Sequence, residues 1–144
     1  MTIPEKVLGL PHHVSIMVIE DDAMVRSIIV EYLQAFGFSR IKAPASSSEA
    51  VMALIDEKIS YDLVLSDWQM PDVSGLELLK MSRKLWHLRK VKFIMITSQV
   101  PEEKEKIAKA LALGVDGYIL KPFKGKTLHA KIWEVLGWDH ATSA

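Results

Sequence analysis

Apolar residues in this chain fall into short unbroken runs, and between the runs they recur at every third or fourth position. Ser15–Ile19 (SIMVI), Asp62–Ser66 (DLVLS) and Lys92–Thr97 (KFIMIT) are the strongest runs. Apolar on consecutive positions, they suit strands buried on both faces. Gly117–Leu120 (GYIL) predicts a last strand and Ile41–Ala43 a short one. Val25, Ile28, Ile29, Tyr32, Leu33 and Phe36 share one helical face, and Gly37 suits its C-terminal stop. Ser46 and Glu49 form a capping-box pattern that opens a helix through Glu57. Met70, Pro71, Asp72 and Gly75 read as a loop, followed by a helix over Leu76–Trp86. Pro101 with Glu102 and Glu103 marks another helix start and Gly114 its end, and the last helix covers Lys126–Leu136.

Strand and helix therefore alternate as (βα)₅. This is an α/β pattern: a doubly wound, parallel five-stranded sheet covered on both faces, with right-handed crossovers. Residues 15–137 read as one domain, with residues 1–14 as an N-terminal arm and 138–144 as a C-terminal tail. In such sheets ligands bind beyond the carboxyl ends of the strands.

Composition narrows the function classes. The 144 residues are 49% hydrophobic and 25% charged, with 18 basic and 18 acidic side chains. That describes a globular chain with a real core. The balanced charge makes no electrostatic case for nucleic acid or an anionic membrane. There is no cysteine, which removes disulfides, thiolate catalysis and thiolate metal sites. The N-terminus lacks the pattern of a signal peptide. No run approaches the ~20 apolar residues needed to span a bilayer. The expectation is a cytoplasmic protein without membrane insertion.

The expected strand ends carry an unusual set of side chains. Glu20 and Asp21 follow the first strand, Asp67 the third, Thr97 ends the fourth and Lys121 follows the fifth. Singly, each is ordinary: an acid after a strand is usually a cap, a threonine structural, a lysine surface. Jointly, three carboxylates, a hydroxyl and an ammonium converge on one edge. Mg²⁺ takes oxygen ligands and keeps several waters. It neutralises the charge that phosphoryl transfer spreads over the phosphoryl oxygens. Carboxylates themselves accept phosphoryl groups. A lysine and a threonine supply a positive charge and a hydrogen bond to the same group. Asp67, on the most central strand, is the best acceptor candidate.

The segments VIEDDAMVR (18–26), LVLSDWQMPDVSGLELL (63–79), IMITS (94–98) and GYILKPF (117–123) occur in an order and spacing that resembles the response-regulator receiver family, over roughly residues 15–137. Within it, the chain is most similar to the single-domain chemotaxis type. The resemblance implies a flavodoxin-like sheet order 2-1-3-4-5. It implies that Asp67 is phosphorylated, with Mg²⁺ (or Mn²⁺ in its place) held by Glu20, Asp21, Asp67 and the Gln69 backbone carbonyl. Thr97 and Lys121 would contact the phosphoryl group, Thr97 and Tyr118 would form the switch, and Lys121-Pro122 would be a cis peptide. It further implies a two-component signalling protein that catalyses only its own phosphorylation and dephosphorylation. The donor would be a phosphohistidine on a sensor histidine kinase or phosphotransfer protein. The target would be a flagellar motor switch or a relay protein, bound through the face of the fourth helix, fifth strand and fifth helix. No output domain follows Leu136, so a stand-alone regulator is expected. The chain departs from the family pattern at Glu20, Ser98 and Gln99, and in the length of Gln99–Lys104.

Three rival readings remain to compare. A haloacid-dehalogenase-like phosphatase also forms an aspartyl phosphate, but needs a second Asp two residues on, where this chain has Gln69. A flavodoxin-like electron carrier needs a Ser/Thr/Gly phosphate loop where this chain has acids. A receiver scaffold that never takes phosphate would not need the intact five-residue set. Elsewhere, the basic stretch Arg83–Lys92 reads as a solvated helix end or a docking patch. Trp133 and Trp138 read as partner anchors, with packing on the sheet the alternative for Trp133.

Overall fold

The structure, a computed structural model, describes residues 11–98 and 104–138. Five strands, β1 (Ser15–Ile19), β2 (Arg40–Lys42), β3 (Leu63–Asp67), β4 (Lys92–Ser98) and β5 (Gly117–Lys121), alternate with five helices. The helices are α1 (Ala23–Ala35), α2 (Ser47–Ile55), α3 (Gly75–Lys84), α4 (Lys104–Ala112) and α5 (Gly125–Leu136). All paired strands are parallel. They lie in the order β2-β1-β3-β4-β5, the arrangement the resemblance implies.

The unbroken apolar runs have a simple cause. Successive strand residues point to opposite faces, and both faces are covered. Ile16, Val18, Leu63, Leu65, Ile94 and Ile96 pack with Ile29 and Leu33 of α1 and Leu128 and Ile132 of α5. Met17, Ile19, Val64, Phe93 and Met95 pack with Leu54 of α2, Leu78 and Leu79 of α3 and Ala110 of α4. Fully buried leucines such as Leu33 and Leu79 each contribute about 2 kcal/mol relative to exposure. The edge strand β2 has one covered side, which is why it reads Arg-Ile-Lys and gives a weak signal.

Local rules set most boundaries. Gly37, at φ +105°, adopts a backbone that side-chain-bearing residues avoid. This lets Gly37 N bond to Gln34 O and Phe38 N to Leu33 O, each at 3.0 Å, closing α1 as expected. The Ser46 side chain accepts from Glu49 N at 3.2 Å, as the capping-box pattern requires. Yet α2 ends at Ile55, short of Glu57, because Asp56 turns extended (φ −72°, ψ 109°) and its Oδ1 takes Lys58 N at 3.0 Å. Likewise α3 ends at Lys84, not Trp86, since Leu85 is extended. The helix start expected at Pro101, Glu102 and Glu103, and the junction at Gln99, lie outside the described residues.

The limits drawn at residues 15 and 137 fall inside the packed body. Val14 is fully buried and Trp138 is 3% exposed, its ring stacked on Phe38 at 6.1 Å. Trp138 is thus core. Trp133 packs edge-on against Phe38 and Trp138, consistent with the packing alternative. Arg83 is not a solvated helix end. Its guanidinium donates to Val91 O (2.7 Å), Gly114 O (2.7 Å) and Leu113 O (3.3 Å), and pairs with Asp116 at 3.2 Å. It ties the end of α3 to the turns before β4 and β5.

Candidate functional site

A parallel sheet delivers every strand's carboxyl end to one edge, and the residues singled out above lie there. Glu20 and Asp21 leave β1, Asp67 ends β3, Thr97 is next to last in β4 and Lys121 ends β5. One oxygen from each of Glu20, Asp21 and Asp67 lies within 4.8 Å of the others. Glu20 is 3% and Asp67 8% exposed, whereas Asp21 faces solvent. Lys121 Nζ reaches both buried acids, at 2.8 Å from Glu20 Oε1 and 3.3 Å from Asp67 Oδ1. Four of the five side chains therefore form one contiguous group. Thr97 is 1% exposed and its hydroxyl donates to Ser98 O at 3.0 Å. Gln69 is exposed on the loop after β3. Tyr118 is 43% exposed on the edge strand, and the Lys121-Pro122 peptide is cis.

Burial decides the electrostatics of this group. It pushes the Glu20 carboxyl above its ordinary range, and the Asp67 charge adds to the rise. Hydrogen bonds from Lys121 and from Asp22 N–H oppose it without cancelling it. Burial pushes the Lys121 ammonium down, but its hydrogen bonds and charge pairing with Glu20 and Asp67 win, and it titrates above its ordinary value. The pair is therefore asymmetric. The lysine is held charged, while the glutamate loses more to desolvation than its partner returns.

The neighbouring acid Asp22 does different work. Its Oδ1 accepts from Met24 N (2.9 Å) and Val25 N (3.1 Å), capping α1 at its N-terminus. Arg26 was not anticipated. It donates to Glu20 O at 2.9 Å and to Ala45 O at 3.4 Å, anchoring the loop that carries the acids. An arginine one helical turn into α1 was the only signal for it. On the β3 side, Ser66 Oγ donates to Asp67 O at 3.0 Å, Trp68 N to Ile96 O at 2.8 Å and Gly75 N to Trp68 O at 2.8 Å.

Among the described residues, the cluster offers carboxylate oxygens and neither imidazole nor sulfur. Three hard donors at this spacing fit a hard divalent cation such as Mg²⁺, with room left for water or substrate oxygens. Against that set, no helix among the described residues is long and apolar enough to cross a membrane.

Known proteins resemble the chain throughout this frame. Residues 16–133 match the response regulator receiver domain. Chemotaxis protein CheY-3 of Vibrio cholerae is 32% identical over 123 residues, covering 85% of this chain and 92% of that protein. Chemotaxis protein CheY1 of Helicobacter pylori is 32% identical over 122 residues, covering 85% and 96% respectively. The solved structure of Vibrio cholerae chemotaxis protein CheY4 superposes with a TM-score of 0.76 at 25% identity, covering 85% of this chain and 98% of that one. Matched along most of its length and folded in the same strand order, the chain belongs to the response-regulator receiver family of two-component signalling.

Proposed function

We propose that the chain is a response-regulator receiver that accepts a phosphoryl group on Asp67. The observation that carries this reading is the cluster itself: three carboxylates within 4.8 Å at the carboxyl edge, two of them bridged by Lys121. Glu20, Asp21 and Asp67, with the Gln69 backbone carbonyl, would hold Mg²⁺, and Mn²⁺ offers similar coordination. When bound, the ion offsets the negative charge of an incoming phosphoryl group.

The chain's own residues supply the rest. An Asp67 oxygen attacks phosphorus as the bond from phosphorus to an imidazole nitrogen of the donor breaks. The imidazole leaves with the bonding electrons and takes a proton, and the carboxylate becomes an acyl phosphate. Lys121, already 3.3 Å from Asp67, is placed to hold a phosphoryl oxygen. Thr97, at the end of the neighbouring strand, supplies a hydroxyl once it exchanges its bond to Ser98 O. That inward turn opens space for Tyr118, and α4, β5 and α5 re-form the face that a partner reads. The donor in this reading is a cytoplasmic sensor histidine kinase or phosphotransfer protein. The target in this reading is a flagellar motor switch or relay protein; the relatives are named as chemotaxis proteins.

Intact-mass analysis after incubation with acetyl phosphate tests the reading. One phosphoryl group should add in Mg²⁺, none in EDTA, and none in Asp67→Asn. Labelling of that variant at wild-type strength would place the acceptor elsewhere.

A further inference from the structure

We propose that the buried Ser66 hydroxyl is a positioning residue for Asp67, fixing the peptide that follows it and so the direction of its carboxylate. The proposal rests on reading Asp67 as the acceptor. Ser66 is fully buried in a strand whose preceding residues are Leu63, Val64 and Leu65. A hydroxyl in such a place needs a partner. It finds one next door, donating to Asp67 O at 3.0 Å.

That carbonyl and the Trp68 N–H belong to one planar peptide group. The N–H is bonded in turn to Ile96 O on β4 at 2.8 Å. The group is thus held at both ends, by the serine on one side and the neighbouring strand on the other. The following peptide is held as well, since Trp68 O accepts from Gly75 N at 2.8 Å. Gly75 closes the seat. A Cβ there would overlap Asp67 O and stand 2.6 Å from Met95 Sδ and 3.2 Å from Ser66 Oγ. α3 therefore begins directly against the carbonyl that Ser66 holds, and only glycine permits that approach.

With the peptide after Asp67 held in this way, and Ser66 and Asp67 paired with Met95 and Ile96 in the sheet, Asp67 has little freedom beyond its own χ1 and χ2. Its Cα–Cβ direction, and with it the placement beside Glu20, Asp21 and Lys121, follows from the seat. Alanine at position 66 removes the donor and frees the peptide to tilt. Orientation errors of that kind are costly where a nucleophile must meet its substrate in line.

The test compares wild type with Ser66→Ala and Ser66→Cys in the full chain. Cysteine fills the serine's space but is a weak donor, so it separates packing from hydrogen bonding. Three quantities are read: the Mg²⁺ dissociation constant by calorimetry without phosphodonor, the labelling rate at saturating Mg²⁺ and acetyl phosphate, and the melting temperature in EDTA. Both variants should bind Mg²⁺ about tenfold more weakly and label about tenfold more slowly, as for other residues that orient metal ligands. Ser66→Cys should do so even where it melts like wild type. Wild-type affinity and rate in Ser66→Cys would overturn the proposal and make Ser66 a space-filler. Should Ser66→Ala fail to fold, Ser66→Cys alone decides. Labelling that survives Asp67→Asn would overturn the acceptor reading instead, and the Mg²⁺ affinities would still report whether Ser66 orients Asp67.

Discussion

Glu20 carries a charge that its surroundings disfavour, and the sign of that penalty is measurable. Burial raises its pKa despite Lys121 at 2.8 Å, so the folded state binds its proton more tightly than the unfolded chain does. Stability present at low pH is then lost as pH rises from the ordinary carboxylate value through the folded one. The metal-free melting temperature should fall across that window, and Glu20→Gln should flatten the fall. Melting curves in EDTA at stepped pH check this, and parallel curves for the two proteins would exonerate Glu20. Asp67 adds to the strain. Two like charges ~5 Å apart repel by roughly 3 kcal/mol at an effective dielectric near 20, less where water reaches them. Lys121 offsets part of this, and Asp67→Ala should raise the metal-free melting temperature by about 3 °C for each kcal/mol of net repulsion relieved. It should also remove most of the stabilisation given by millimolar Mg²⁺, which acts by binding the folded cluster alone. A variant less stable in EDTA, with the Mg²⁺ response intact, would make Asp67 an ordinary structural acid. The acids and the lysine were readable in the sequence because each stands where an apolar run stops. Asp22 looked identical to its neighbours there. Only the backbone shows that its carboxylate turns toward Met24 N and Val25 N.

Elements meet at Arg83, whose guanidinium spans four carbonyls, of Arg89, Val91, Leu113 and Gly114, and the Asp116 carboxylate. Asp116 in turn accepts Phe93 N at 2.8 Å, so one side chain joins α3 to the entries of β4 and β5. Hydrogen bonds from a charged donor are worth more than neutral ones, and losing them leaves the carbonyl of buried Val91 without its partner. Arg83→Ala should cost about 2 kcal/mol, and Arg83→Lys should recover less than half, because an ammonium lacks the fork that reaches several acceptors. Urea melts with an unchanged m-value would show it. A loss below about 0.5 kcal/mol, the usual range for a surface change, would refute the tie. Nothing in the sequence distinguishes Arg83 from Lys84, Arg89 or Lys90. The helix face it occupies depends on where α3 begins, and that start is set by packing at Gly75. Strand positions were easier to read than helix ends, since burial on two faces writes itself into five consecutive residues. A helix end such as Ile55 rests on the turn of one residue, Asp56.

At the scale of the molecule, Asp67 ends β3 and β4 lies between β3 and β5, so in the proposed switch a change at Asp67 would reach Tyr118 across β4. Register places Thr97 opposite Leu120 and Met95 opposite Tyr118. A hydroxyl drawn toward Asp67 therefore acts on the strand that carries Tyr118. Amide shifts on adding beryllofluoride should extend along residues 104–136; shifts confined to the neighbourhood of Asp67 would rule this route out. Sheet order was beyond the residues alone, because pattern gives the elements and not which strands adjoin; the resemblance supplied it. The four tryptophans divide the same map optically. Trp68 is buried on the α2-α3-α4 side, one peptide bond from Asp67. Trp133 and Trp138 lie in the aromatic cluster on the opposite face. Trp86, 70% exposed, stands in water at the far end of the sheet. Emission is thus sorted by place. Trp86→Phe should remove the most red-shifted component and leave buried Trp68 on one face and buried Trp138 with partly buried Trp133 on the other. Charge arriving at Asp67 should quench or shift Trp68 first, so the Trp68→Phe protein should lose most of the beryllofluoride response; a response retained in that variant would assign the signal to the opposite face. The chain would then carry its own light gauge for the occupancy of a single carboxylate.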